Sequence, residues 1–136
     1  MPLDQQRFEG LAGFRLALRR FLAASEQISR GADVTARQYQ ALLAIKARAA
    51  GAMAMKDLAE ELLLSHHAAV QLVDRLAKGG LASRRPAPQD RRSVVLELTQ
   101  RGEALVDELA GRHLQAMLEQ EPLLTASLKQ LKRMGS

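Results

Sequence analysis

Residues 65–102 read SHHAAVQLVDRLAKGGLASRRPAPQDRRSVVLELTQRG, and three kinds of local order follow one another in them. Ser65 stands where a helix cap belongs, and Ala69, Leu72, Val73, Leu76 and Ala77 recur at helical spacing before Gly79-Gly80, which predicts a helix over 66–78. Its open side would carry His66, His67, Val70, Gln71, Asp74, Arg75 and Lys78. A strand over 81–85 and a second over 93–98, with Val94, Leu96 and Leu98 pointing inward, enclose a turn rich in proline and arginine: a β-hairpin. Arg84 and Arg85 end the first strand, and Arg91 and Arg92 sit at the tip. A guanidinium is a planar fork suited to phosphate and to a narrow minor groove, so such a hairpin beside a groove-sized helix reads as a wing.

Upstream, residues 55–62 predict a short helix burying Leu58, Ala59 and Leu62, weakly started because Ala54 offers no capping side chain. A short helix, a tight turn and a helix with a polar, partly basic face form a helix-turn-helix. Thr35 and Gln38 match a capping box, with Val34 and Tyr39 as its hydrophobic staple, so another helix is predicted from 36 to Ala50, ended by Gly51. Before it, Asp4 caps a helix to about Ser29 whose seam is Leu11, Phe14, Leu18, Phe21, Ser25 and Ile28. Downstream, Thr99 caps a long helix over 100–119 that carries Leu105, Val106, Leu109, Ala110, Leu114, Met117 and Leu118. Pro122 opens a last helix with Leu124, Leu128 and Leu131. Twenty residues make a rod of ~30 Å, about as wide as the small domain it leaves. Such faces exceed what a chain of 136 residues buries alone, which predicts a homodimer.

The expected fold is therefore mainly α with a small β-hairpin wing. Residues 1–34 form an N-terminal dimerisation helix, 35–100 a winged helix-turn-helix and 101–136 the C-terminal dimerisation helices, in one intertwined domain. Composition agrees. Twenty Lys and Arg against fifteen Asp and Glu give +5, and four of those five charges fall within residues 65–101, where seven basic side chains meet Asp74, Asp90 and Glu97. A local surplus of this kind favours a polyanionic partner. The absence of cysteine excludes disulfides and thiolate metal sites and fits a reducing compartment. No basic leader precedes an apolar run, so a soluble cytoplasmic protein without membrane attachment is expected. The four aromatics all precede residue 40, which disfavours single-stranded nucleic acid.

From Lys56 to Gly102 the sequence resembles the MarR family of bacterial regulators. The residues that carry the resemblance are Lys56-Asp57-Leu58-Ala59-Glu60-Glu61-Leu62, Leu64-Ser65, Leu72-Val73-Asp74-Arg75-Leu76 with Gly80-Leu81, and above all Asp90-Arg91-Arg92 followed by the strand to Leu98-Thr99 and Gly102. The resemblance implies a two-fold dimer on double-stranded DNA, with a pseudo-palindromic site and half-sites ~34 Å apart. The helix after Ser65 would enter the major groove, where His66, His67, Val70 and Gln71 read bases and Arg75, Lys78, Arg84 and Arg85 hold phosphates, while the wing signature with Asp90, Arg91 and Arg92 reaches the minor groove. The dimer would form through Leu11, Phe14, Leu18 and Phe21 with Leu109, Leu114, Leu118, Leu124, Leu128 and Leu131. Relatives commonly respond to small aromatic or anionic ligands held between the dimer helices and the winged domain, which implies a ligand-responsive repressor. Val70 and Gln71 stand where many relatives have Ser or Thr followed by Arg, so the preferred operator is this chain's own. Leu63 fills a turn position where glycine is frequent.

Rival readings are weaker. His66 and His67 point roughly 100° apart on a helix and lack an acidic or cysteine partner nearby, so DNA contact is preferred to a metal site. No phosphate loop, metal motif or paired nucleophile suggests an enzyme or a cofactor. His113 lies among apolar neighbours and receives no role. A winged helix serving only as a protein interaction module is the principal alternative.

Overall fold

The computed structural model describes residues 2–90 and 92–133. Helix α1 spans Gln5–Gly31, and the Asp4 carboxylate accepts the Arg7 N–H at 2.9 Å at its start. Helix α2, Ala36–Ala47, begins with the reciprocal capping box: the Gln38 N–H donates to Thr35 Oγ1 at 3.0 Å and the Thr35 N–H to Gln38 Oε1 at 2.9 Å. It ends three residues before the expected Ala50. Arg48 is already extended, its guanidinium reaching Glu61 at 2.7 Å and Asp57 at 3.4 Å, and Gly51, at φ +76°, turns the chain instead of closing the helix.

That turn delivers a strand the sequence reading lacked. Strand β1, Met53–Ala54, pairs antiparallel with β3, Val94–Leu98, which pairs in turn with β2, Ala82–Pro86, so the wing is a three-stranded sheet of order β1-β3-β2. Strand β2 begins one residue later than expected and ends on Pro86, tolerated because β2 is an edge strand. The expected alternation in β3 is also modified. Val95 and Leu96 are buried while Val94 and Leu98 are half-buried, since this central strand lies between Ala54 and Arg85 at Val95 and between Met53 and Arg84 at Leu96.

Helix α3, Met55–Glu61, lacks a capping side chain, but the Asp57 carboxylate accepts the Ala54 N–H at 3.0 Å. Leu63 then adopts φ +55°, its N–H bonding to the Glu60 carbonyl and the Leu64 N–H to the Ala59 carbonyl, the pattern of a Schellman motif. A leucine thus holds the helix-turn-helix turn in the conformation where glycine is the unstrained choice. Helix α4, His66–Lys78, ends in the same motif with Gly80 at φ +70°. Its inward stripe is Ala69, Leu72, Val73 and Leu76; Ala77, expected to join it, is exposed at the margin of the stripe.

Helix α5, Gln100–Glu119, starts at a knot of hydrogen bonds. Thr99 Oγ1 donates to the Gly80 carbonyl at 2.6 Å and accepts the Gly102 N–H at 3.0 Å, and the Thr99 N–H bonds to the Leu81 carbonyl at 3.1 Å. A Cβ on Gly102 would lie 2.0 Å from the Leu81 carbonyl oxygen, so only glycine fits. Tyr39, Leu42, Leu58, Leu72, Leu76, Leu96, Val106 and Leu109, with their neighbours, form one core joining α2–α4, the sheet and the first half of α5. Helix α6, Glu121–Lys132, packs on α1 through small residues: a Cβ on Gly10 would meet Leu131 Cγ at 2.9 Å, and one on Gly13 would meet Ser127 Oγ at 2.3 Å. Among the described residues no helix is long and apolar enough to cross a membrane.

Two stability measurements test these turns. Gly102→Ala must push α5 off Leu81 and should cost at least ~2 kcal/mol by thermal or denaturant unfolding. Leu63→Gly removes a left-handed leucine whose side chain is 91% exposed and contributes little packing, so it should stabilise by about 1 kcal/mol; a loss of stability would refute the strain assigned to that turn.

Candidate nucleic-acid interface

Ser65 starts α4 by accepting the Ala68 N–H at 3.1 Å, and the buried stripe fixes which side of the helix faces out. His66, His67, Gln71, Arg75 and Lys78 are exposed, with Val70 and Asp74 half-buried beside them. The wing loop is organised by Asp90, whose carboxylate accepts the Arg92 N–H at 3.0 Å and the Ser93 hydroxyl at 3.3 Å, while the Ala87 N–H donates to the Ser93 carbonyl at 2.9 Å. Asp90 is therefore satisfied within its own turn, where it fixes the backbone at Arg92. Arg91 lies outside the described residues.

Between helix and wing is a notch of about 300 Å³ lined by Lys56, His66, Val70, Arg84, Arg92 and Ser93 together with apolar groups of β1 and α3. Lys56, at the start of α3, is brought to this notch by the packing of α3 against α4 and the sheet, which no local pattern shows. The other basic residues divide. Arg84 Nη2 lies 2.5 Å from Asp74 Oδ1, whereas Arg85, next along the strand, is on the opposite face with Glu97 at 2.6 Å and Gly51 beside it. Arg75 faces the other flank of α4, lining a depression with Asp33, Gln38, Arg101 and Glu108.

A second concavity, of about 510 Å³, opens where α1, α2 and α5 meet. Its floor is polar and ordered. The His113 ring is buried, stacked on Tyr39 at 3.9 Å with 7° between the planes, and edge-on to Phe21 at 6.4 Å. A carbonyl can only accept, so His113 Nδ1, 2.9 Å from the Leu109 oxygen, carries the proton, and in the neutral ring the Ser25 hydroxyl donates to Nε2 at 2.8 Å. Burial pushes the Tyr39 phenol upward, keeping it neutral. Leu22, Leu43, Leu114 and Met117 make the walls, and among the described residues no charged side chain lines them.

The apolar residues expected at a subunit contact also separate. Leu11 and Leu18 on α1, Leu114 and Leu118 on α5 and Leu128 on α6 are exposed, and Phe14, Phe21, Leu124 and Leu131 are half-buried. Leu109 is 0% exposed inside the chain's own core, which corrects its assignment to the dimer face: half of α5 belongs to the winged domain.

Residues 32–93 match the family model described as MarR family. YhbI, an uncharacterized HTH-type transcriptional regulator of Bacillus subtilis, is 35% identical over 81 residues, which are 60% of this chain and 51% of YhbI; the chain thus spans about half the length of that curated relative. CouR from Rhodococcus jostii RHA1, solved bound to p-coumaroyl-CoA, superposes with a TM-score of 0.64 at 28% identity over 71% of this chain and 66% of its own. A mutant MarR from E. coli, solved in complex with operator DNA, shares the fold with a TM-score of 0.69 at 22% identity over 87% of this chain and 89% of its own.

Proposed function

We propose that this chain, similar over residues 32–93 to the MarR family of winged helix-turn-helix transcriptional regulators, is a member of that family and a cytoplasmic homodimeric repressor that reads double-stranded DNA and releases it on binding a small effector. The observation that carries this reading is the notch in which Lys56, His66 and Arg92 converge between an exposed helix and a wing. In this reading residues 35–100, closed by the first half of α5, are the DNA-reading head, and 1–34 with the second half of α5 and α6 are the dimerisation stalk. His66, His67, Val70 and Gln71 face base edges, and Ser65 opens the helix at the phosphates. Lys56, Arg75 and Lys78 hold the backbone, and Arg91 and Arg92 enter the minor groove. The exposed leucines of α1, α5 and α6 support a partner subunit, because an apolar surface of this extent on three adjacent helices is unfavourable in water. Operator DNA in the E. coli MarR complex and p-coumaroyl-CoA in CouR support the two ligand classes.

The cavity over His113 is the natural effector seat, since α1 and α5 of the stalk and α2 of the head all line it. An occupant that fits one head orientation better shifts the population toward it. Its uncharged lining supports the aromatic class over the anionic one, because an unpaired charge in such a site costs several kcal/mol.

Selection of duplexes from a random pool tests the first part. It should return a two-fold consensus with half-sites ~34 Å apart, and Arg92→Ala should weaken binding and lower the slope of log affinity against log salt by about 1. A monomer that selects no duplex at low ionic strength would instead be an interaction module. For the second part, Ala110→Leu fills the cavity from α5 and should lower DNA affinity several-fold without any ligand; unchanged affinity would uncouple the cavity from the head.

A further inference from the structure

Asp74 lies four residues from both Val70 and Lys78, on the outward side of the helix that the proposed function places in the major groove. A carboxylate there opposes the phosphates on either side, and like charges across an interface are costly. Arg84 answers it from another element: its guanidinium meets Asp74 at 2.5 Å from strand β2, where it stands opposite Leu96. The side chains are 41% and 46% exposed, so the pair contributes little to stability, where exposed ion pairs rank near zero. Its consequence is local charge. With Arg84 engaged, the helix presents His66, His67, Gln71, Arg75 and Lys78 with no net negative charge among them; without Arg84, a free carboxylate stands beside Val70.

We propose that Arg84 is a positioning residue that acts through Asp74, cancelling its charge and tying the wing to the reading helix, and that it is not itself a phosphate clamp. The inference rests on the DNA-binding reading above. It assigns Arg84 a different task from Arg92, which has no acidic side chain paired with it among the described contacts and whose loop is aimed by Asp90.

The test is a double-mutant cycle on the full chain, using Arg84→Gln, Asp74→Asn and both together, with affinity measured by fluorescence anisotropy on the duplex that the unmodified protein selects. Arg84→Gln should lose about tenfold or more, Asp74→Asn should bind as tightly as the parent or tighter, and the double variant should recover to within about threefold of the parent with an unchanged salt slope. A double variant as weak as Arg84→Gln, with a slope lower by about 1, would make Arg84 a direct phosphate contact and overturn the proposal. So would an Arg84→Gln variant that binds normally. Thermal midpoints should stay within a few degrees of the parent, since the pair is exposed, so weak binding is not lost folding. If the parent binds no duplex at all, the DNA reading itself falls and takes this inference with it, a result distinct from a bound parent with the wrong mutant pattern.

Discussion

Four segments of this chain meet at the oxygen of Leu81. The carbonyl accepts the Thr99 N–H, and the first turn of α5 lies so close above it that residue 102 has no room for a Cβ. One residue earlier the Gly80 carbonyl accepts the Thr99 hydroxyl, and Arg101 donates to the Gly79 carbonyl at 2.9 Å. The end of α4, the start of β2, the end of β3 and the start of α5 are therefore fixed to one another at three successive backbone carbonyls, acceptors that have no rotamer freedom of their own to absorb a change. The direction of the reading helix, the direction of the wing and the direction of the stalk follow from that junction.

The stalk is built on a different principle. Its internal contact, α1 against α6, uses Gly10, Gly13 and Ser127, so the helices approach closely while burying few large side chains. Of the large apolar residues, Leu11, Leu18 and Leu22 of α1 and Leu128 of α6 are left exposed. This arrangement divides labour along α5, whose first half closes the winged core with Val106 and Leu109 and whose second half carries Leu114, Met117 and Leu118 into solvent. His113 stands at the change of role, where the Ser25 hydroxyl and the Leu109 carbonyl bond its two ring nitrogens and Tyr39 stacks on its face. A buried polar group held so completely is costly to disturb, which makes the joint between stalk and head a place where small packing changes have leverage.

Much of this was legible in the chain itself. Caps at Asp4, Thr35, Ser65 and Thr99 all start the helices they announce, because each satisfies an N–H only two or three residues away. The inward stripe of α4 was legible for the same reason: helical periodicity is a local property. The turn at Leu63 was harder, since the sequence offers leucine where the backbone needs a left-handed residue, and the flanking helices impose the geometry against its preference.

What the sequence determined alone, then, is the six helices and the β2–β3 hairpin, their order and the concentration of positive charge near that hairpin, all of which depend on neighbours a few residues apart. Tertiary structure alone decided the partners over long separations. It gave β1 its place on β3, cut α2 short where Arg48 reaches Glu61, drew Leu109 into the core, set Arg84 on Asp74 and Arg85 on Glu97, and closed Ser25, Tyr39 and His113 around one cavity. These pairings join residues from 10 to 88 positions apart, and no periodicity encodes them: they exist only once packing has brought separate elements to within a few ångströms.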